Sequence, residues 1–300
     1  MNILITGGTG LIGSAFIHAF HEQHKFTVLT RRPEHARSAL GSHISAIHSL
    51  STLANLNAFD AVINLAGEGI ADKRWNAKRK RRLERSRWQI TDELVALFEK
   101  SSRKPAVFIS GSAVGYYGRQ SEKPVTERDY IAHDEYSHQL CKVWEDKARA
   151  AEPHTRVCIL RTGVVLAAEG GALKRMVPPF RFGLGGPIGS GTQMMSWIHL
   201  NDMIHILDFL LHHKDCSGVY NATAPNPVSN ALFSQTIAKV LHRPCVFRVP
   251  GIIMKLAFGE MADLLLTGQA ALPERLQQAG YSFHYPELTE ALTQCLVTRR

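Results

Sequence analysis

Thr6-Gly7-Gly8-Thr9-Gly10-Leu11-Ile12-Gly13 is the stretch that decides how this chain is read. A short apolar run, Asn2-Ile3-Leu4-Ile5, leads into it, and Phe16, Ile17 and Phe20 behind it fall on one side of a helical pattern. The glycines therefore end a strand, make a tight turn and open a helix. Glycines at 7, 8, 10 and 13 let backbone come close to a pyrophosphate and let the helix pack tightly on its strand. The free N–H groups and positive dipole end of the helix then attract that pyrophosphate. A dinucleotide is expected here, held by Gly7, Thr9, Gly10, Leu11, Ile12 and Gly13.

The next strand, Phe26 to Thr30, indicates which dinucleotide. It ends Thr30-Arg31-Arg32-Pro33, with no Asp or Glu where a ribose-reading acid would stand. Arginine at that tip can clamp a 2′-phosphate in bidentate fashion. NADP(H) is thus predicted over NAD(H), with Thr30, Arg31 and Arg32 around the phosphate. Ala61-Val62-Ile63-Asn64 runs on into Leu65-Ala66-Gly67, small enough at its end to pass beside the adenosine.

Further strands are expected at 44–48, 106–110 and 157–160, and helices at 76–101 and 134–151. The strands are continuous apolar runs alternating with helices, the pattern of a parallel sheet covered on both faces. The fold class predicted is α/β, a Rossmann-type doubly wound sheet. After residue 163 the pattern breaks at Pro178-Pro179 and at a glycine-rich stretch, 183–191. A cofactor domain over 1–163, with sheet elements returning from about 196–225, and a smaller mixed α/β substrate lobe over 164–300 are expected.

The chain has 300 residues with Lys+Arg 35 and Asp+Glu 26, a formal charge of +9. Nine of the bases lie between Lys73 and Arg87, opposed within Asp72–Arg87 only by Asp72 and Glu84. That concentration reads as a solvated helix plus a loop. No aromatic platform accompanies it, so no nucleic-acid partner is expected. The five cysteines form no C-x-x-C pair, which argues against a disulfide scaffold and fits a reducing, cytoplasmic setting. Lys255, Glu260 and Asp263 interrupt the most apolar late stretch, so no membrane span is expected. His18, His21 and His24 spread over about 240° of helix and cannot converge on one ion, so no metal is expected.

TGGTGLIG (6–13), NLAGE (64–68), SGSAVGYYG (110–118) and WIHLND (197–202) together resemble the extended short-chain dehydrogenase/reductase superfamily. Pro179 to Gly191 and the tail over about 249–297 are similar to its YfcH-type, NAD(P)-dependent epimerase/dehydratase-like family, with that family's small C-terminal domain of unknown function. The resemblance implies a Rossmann core, a nicotinamide cofactor and a C-terminal substrate lobe. It names neither the substrate nor an oligomeric state.

The superfamily works with a serine on the fifth strand and a Tyr-x-x-x-Lys pair on the following helix. Ser112 matches the serine, and Ser110, on the same side of an extended strand, is expected near the cofactor. The Tyr/Lys pair is missing. Counting back from Glu145 puts Cys141 in the lysine slot and Ser137 in the tyrosine slot; Lys142 lies about 120° around the helix from Tyr136. Cys141 reads as a small core residue. Tyr116 and Tyr117 are the nearest alternative hydroxyls. Val164 follows Arg161-Thr162-Gly163, where the superfamily's chain crosses the nicotinamide. Arg87 stands where extended members usually carry a cofactor-side asparagine. Two functions follow as expectations: an NADP(H)-dependent oxidoreductase or epimerase using Ser112 with Tyr116 or Tyr117, or an NADP(H)-binding redox sensor without turnover. The 183–191 loop is expected to cover the substrate.

Overall fold

The computed structural model describes residues 1–120, 122–129 and 133–297; the last three residues of the expected C-terminal lobe, 298–300, lie outside them. The strands are β1 (Asn2–Thr6), β2 (Lys25–Leu29), β3 (Ser45–Ile47), β4 (Ala61–Asn64), β5 (Val107–Ala113), β6 (Pro124–Val125), β7 (Arg156–Thr162), β8 (Val164–Leu166), β9 (Met194–Met195), β10 (Trp197–His199), β11 (Gly218–Ala222), β12 (Val228–Ser229) and β13 (Ala270–Ala271). The helices are α1 (Leu11–Phe20), α2 (Pro33–Leu40), α3 (Ala77–Lys100), α4 (Tyr136–Arg149), α5 (Gly171–Arg181), α6 (Leu200–His212), α7 (Asn230–Val240), α8 (Gly251–Phe258), α9 (Asp263–Leu266), α10 (Glu274–Gln278) and α11 (Leu288–Leu296).

Seven strands form one sheet in the order β11-β7-β5-β4-β1-β2-β3, and every neighbouring pair in it is parallel. The apolar runs are explained by burial on both faces. In β1, Ile3 and Ile5 join the layer with Phe16, Ile17 and Leu207, whereas Leu4 joins the opposite layer with Val62, Phe98 and Phe108. A separate core around Leu173, Trp197, Phe233, Ile237 and Leu292 holds the later part of the chain together. No helix among the described residues is long and apolar enough to cross a membrane.

The chain runs from β1 to β2 on one side and returns to β4 on the other. Strand order therefore reverses between β1 and β4, and a crevice opens at their carboxyl ends. Asp202 ties the later part of the chain to the sheet layer. It is fully buried at the start of α6 and accepts from the Tyr281 hydroxyl (3.1 Å) and from the backbone N–H groups of His284 (2.8 Å) and Tyr285 (2.9 Å). The WIHLND stretch thus builds a junction. The glycine-rich stretch is fastened as well: Gly189 N–H donates to the Val249 carbonyl, and Val249 N–H to that of Pro187.

Candidate functional site

At the β1–β4 crevice the glycines are fixed by contact. Gly7 sits at φ 70°, and a Cβ there would lie 2.5 Å from the Leu65 carbonyl oxygen. A Cβ on Gly13 would lie 2.5 Å from the Gly7 oxygen. The turn is closed by Gly10 N–H donating to Gly7 O at 2.9 Å. Gly10 caps α1 without any side-chain bond, and no acid stands in the first turn. The amides of Leu11, Ile12 and Gly13 therefore have no intrahelical acceptor, and Thr9 and Gly10 beside them are exposed. This end of the crevice offers unpaired N–H groups with no carboxylate in the first helical turn.

The floor is a chain of satisfied hydrogen bonds. Thr6 Oγ1 donates to Asn64 Oδ1 (2.6 Å) and accepts from Ala66 N–H (3.1 Å). Asn64 Nδ2 donates to Thr91 Oγ1 (2.9 Å), which also accepts from Trp144 Nε1 (3.1 Å) and donates to the Arg87 carbonyl (2.8 Å). Leu65 and Ala66 are thereby held half-buried along the crevice.

The basic segment is less solvated than its composition implies. Arg79 is 7% exposed; it donates to the Glu68 carboxylate and to the Gly69 carbonyl. Arg82 reaches the same carboxylate at 2.9 Å, and Arg31, 89% exposed at its side chain, stands 4.0 Å from it. Burial opposes the Glu68 charge, but Arg82 and Arg79 more than offset it and hold the carboxyl below its usual range. One carboxylate thus faces three guanidiniums, and a net positive field remains at the β2 tip, where Thr30, Arg31 and Arg32 lie. Arg87 is turned inward beneath Gly67, where a Cβ would meet its guanidinium at 2.8 Å. It donates to the carbonyls of Glu68 (3.0 Å) and Leu83 (3.1 Å), so it braces the loop.

The turn after β5 is closed. Ser112 Oγ donates to Glu145 Oε1 at 2.7 Å, and Arg161 grips both Glu145 oxygens at 2.9 Å. All three side chains are buried. Burial alone would pull the Arg161 guanidinium down; Glu145 and Tyr117 more than offset this and raise it. Tyr116 lays its ring on that guanidinium, 3.4 Å from carbon to ring centre, and its carbonyl is bonded to His138 Nδ1. Tyr117 is fully buried; its hydroxyl donates to Asn221 Oδ1 at 2.8 Å and is pushed up to about 12 by burial. Cys141 lies beside Ser112, and burial pushes its thiol up to about 11, that of a neutral core thiol. Ser110 is fully buried next to Asn64, with no hydrogen-bond partner for its Oγ among the described residues. Val164 is half-buried, its N–H bonded to the Ser196 carbonyl at 2.8 Å.

Sequence reasoning did not assign Glu145, Arg161, Glu68 or Asn221. A usable signal existed for two of them. Arg161 follows the apolar run Val157–Leu160 within β7, and Glu145 shares the buried face of α4 with Cys141, Trp144 and Ala148. Charges so placed need each other.

A model of the NAD dependent epimerase/dehydratase family matches residues 3–223, and a domain of unknown function, DUF1731, matches 249–295. An epimerase family protein of Mycobacterium leprae is 38% identical over 97% of this chain and 94% of its own length. The epimerase family protein YfhF of Bacillus subtilis is 37% identical over 100% of this chain and 99% of its own. Among solved structures, the human epimerase family protein SDR39U1 with NADPH superposes with a TM-score of 0.90 at 34% identity, covering 98% of this chain and 99% of that one.

Proposed function

The chain belongs to the NAD dependent epimerase/dehydratase family, and from that premise we propose that it binds NADP(H) between β1 and β4 and uses it to oxidise, reduce or epimerise a small polar metabolite. The observation that carries this is the uncapped N-terminus of α1 beside an arginine-rich β2 tip with no ribose-reading acid. The human relative solved with NADPH supports it.

In this reading Leu11, Ile12 and Gly13 hold the pyrophosphate, and Thr30, Arg31 and Arg32 hold the 2′-phosphate. Leu65, Ala66 and Gly67 line the adenosine side, with Arg87 bracing them from below; Ser110 and Val164 flank the nicotinamide. When bound, the nicotinamide supplies the site that gives or takes a hydride. Ser112 orients the reacting hydroxyl. Its own hydrogen is directed at Glu145, which Arg161 keeps in place, so its lone pairs are left to accept from a substrate hydroxyl. Tyr116 forms the wall beside Ser112. Tyr117 has a supporting part and would reach substrate only by giving up Asn221.

Titration should give NADPH at least tenfold tighter than NADH, and Arg31→Ala with Arg32→Ala should bring the two close to parity. Equal affinities in the unaltered chain would end the cofactor assignment. Ser112→Ala should keep NADPH binding and cut any turnover found by about 100-fold, the cost of a misplaced reacting group; unchanged turnover would remove the serine. A second reading, a cofactor-binding sensor without turnover, is favoured by the closed Ser112–Glu145–Arg161 array and by the missing Tyr-x-x-x-Lys. Detected hydride transfer ends it.

A further inference from the structure

His24 lies in the turn before β2, at the amino end of the sheet, and faces the last turn of α6. Asp208 and His212 stand there at i and i+4, hence on one face. His24 Nε2 is 3.5 Å from Asp208 Oδ1, and His212 Nδ1 is 3.3 Å from that same oxygen. The three ligand atoms lie within 4.8 Å of one another. His24 Nε2 and Asp208 Oδ1 are both buried, and neither has a hydrogen-bond partner among the described residues. The His24 side chain is only 3% exposed.

Two complementary polar atoms buried face to face, yet too far apart to bond, fit a site that lacks its central group. We propose that His24, Asp208 and His212 bind one divalent transition-metal ion, zinc(II) being the best match. Two imidazoles and one carboxylate are ligands this ion accepts, and a water can take the fourth position. Bonds of about 2.0–2.1 Å in a tetrahedron place neighbouring ligand atoms roughly 3.3 Å apart, close to both separations from Asp208. The His24–His212 edge must shorten, which falls to His212, whose side chain is 47% exposed. The cost is its bond from Nδ1 to the Asp208 carbonyl, 2.9 Å. The other ring nitrogen of His24 faces the Met1 amino group at 3.4 Å. With the ion on Nε2 that nitrogen carries the proton, so its contact with the Met1 ammonium is lost, a further cost of binding. The ion would pin the α1–β2 turn and the chain's amino end to α6. It would sit at the end of the strands opposite the crevice, and so be structural.

The test is zinc(II) titration of the full chain without an affinity tag, after chelator treatment, by calorimetry and thermal denaturation. One ion per chain and a raised Tm are expected. Asp208→Asn and His212→Ala should each weaken binding at least tenfold with an unchanged circular dichroism spectrum, and His18→Ala with His21→Ala should leave it intact. Absence of saturable binding, or binding that survives Asp208→Asn, overturns the proposal. His212→Ala, on an exposed side chain, decides the matter if the buried variant fails to fold.

Discussion

The turns after β1 and after β5 lie at the same end of the same sheet, two strands apart. After β1 the helix begins uncapped, its neighbours are exposed, and the nearby arginines outnumber the carboxylate among them. After β5 nearly every polar group is engaged: Ser112 with Glu145, Glu145 with Arg161, Tyr117 with Asn221. One turn waits for a ligand's charge and the other has neutralised its own. Under the proposed function, binding and chemistry would thus be served by opposite electrostatic designs within a single sheet edge. Predictions that disturb each turn separately show whether the contrast is real.

The largest effect is expected at the closed turn. Glu145→Ala leaves the Arg161 guanidinium buried without a counter-charge, a loss of about 3–5 kcal/mol in stability. Chemical denaturation of the variant against the unaltered chain measures it. Glu145→Leu combined with Arg161→Met should recover most of that loss, because an apolar pair needs no neutralisation. If Glu145→Ala costs less than about 1 kcal/mol, as a surface pair does, the turn after β5 is open to water and the contrast collapses.

The open turn should lose binding before stability. In Gly7→Ala the new methyl meets the Leu65 carbonyl at 2.5 Å from a left-handed backbone position. Leu65 can retreat only into the crevice where the cofactor is proposed to lie. NADPH affinity should fall by about 100-fold, equivalent to roughly 2.7 kcal/mol, with the loss read by fluorescence titration. Unchanged affinity would mean that the ligand does not use this crevice.

The two turns also differ in how far the sequence reveals them. Gly7, Gly10 and Gly13 are local, because one short segment contains both the reason for each glycine and the surface it creates. The strands were legible for the same reason: runs such as Ala61–Asn64 are buried on both faces and need no distant partner to be recognised. Ser112 was legible by its place in the strand, but its bond was not, since Glu145 arrives from α4 and Arg161 from β7. Arg79 and Arg87 were hidden inside a run of like charges. Only the loop folded against α3 distinguishes them from their solvated neighbours. His24 shows the same limit, because its partners stand 184 and 188 residues onward in the chain.

The smallest effect concerns a single thiol. Burial, with Glu145 adding its charge, pushes Cys141 up to about 11. At pH 8 such a thiol is about 0.1% thiolate, whereas a free one near 8.5 is roughly 24% ionised. Alkylation by iodoacetamide, mapped by mass spectrometry on the native chain, should therefore be at least about 100-fold slower at Cys141 than at a free cysteine. Each unit of pH below about 11 should change the rate tenfold, since only the thiolate reacts. Cys245 is the useful internal standard: it is only half-buried, and its thiol is raised by burial alone. If Cys141 reacts first at pH 8, something stabilises its anion, and Arg87 is the cation among its surroundings that acts in that direction. The slot where the superfamily keeps a lysine would then hold a nucleophile, and the turn after β5 would have to be regarded as chemically open. Slow reaction with a tenfold rise per pH unit keeps it closed.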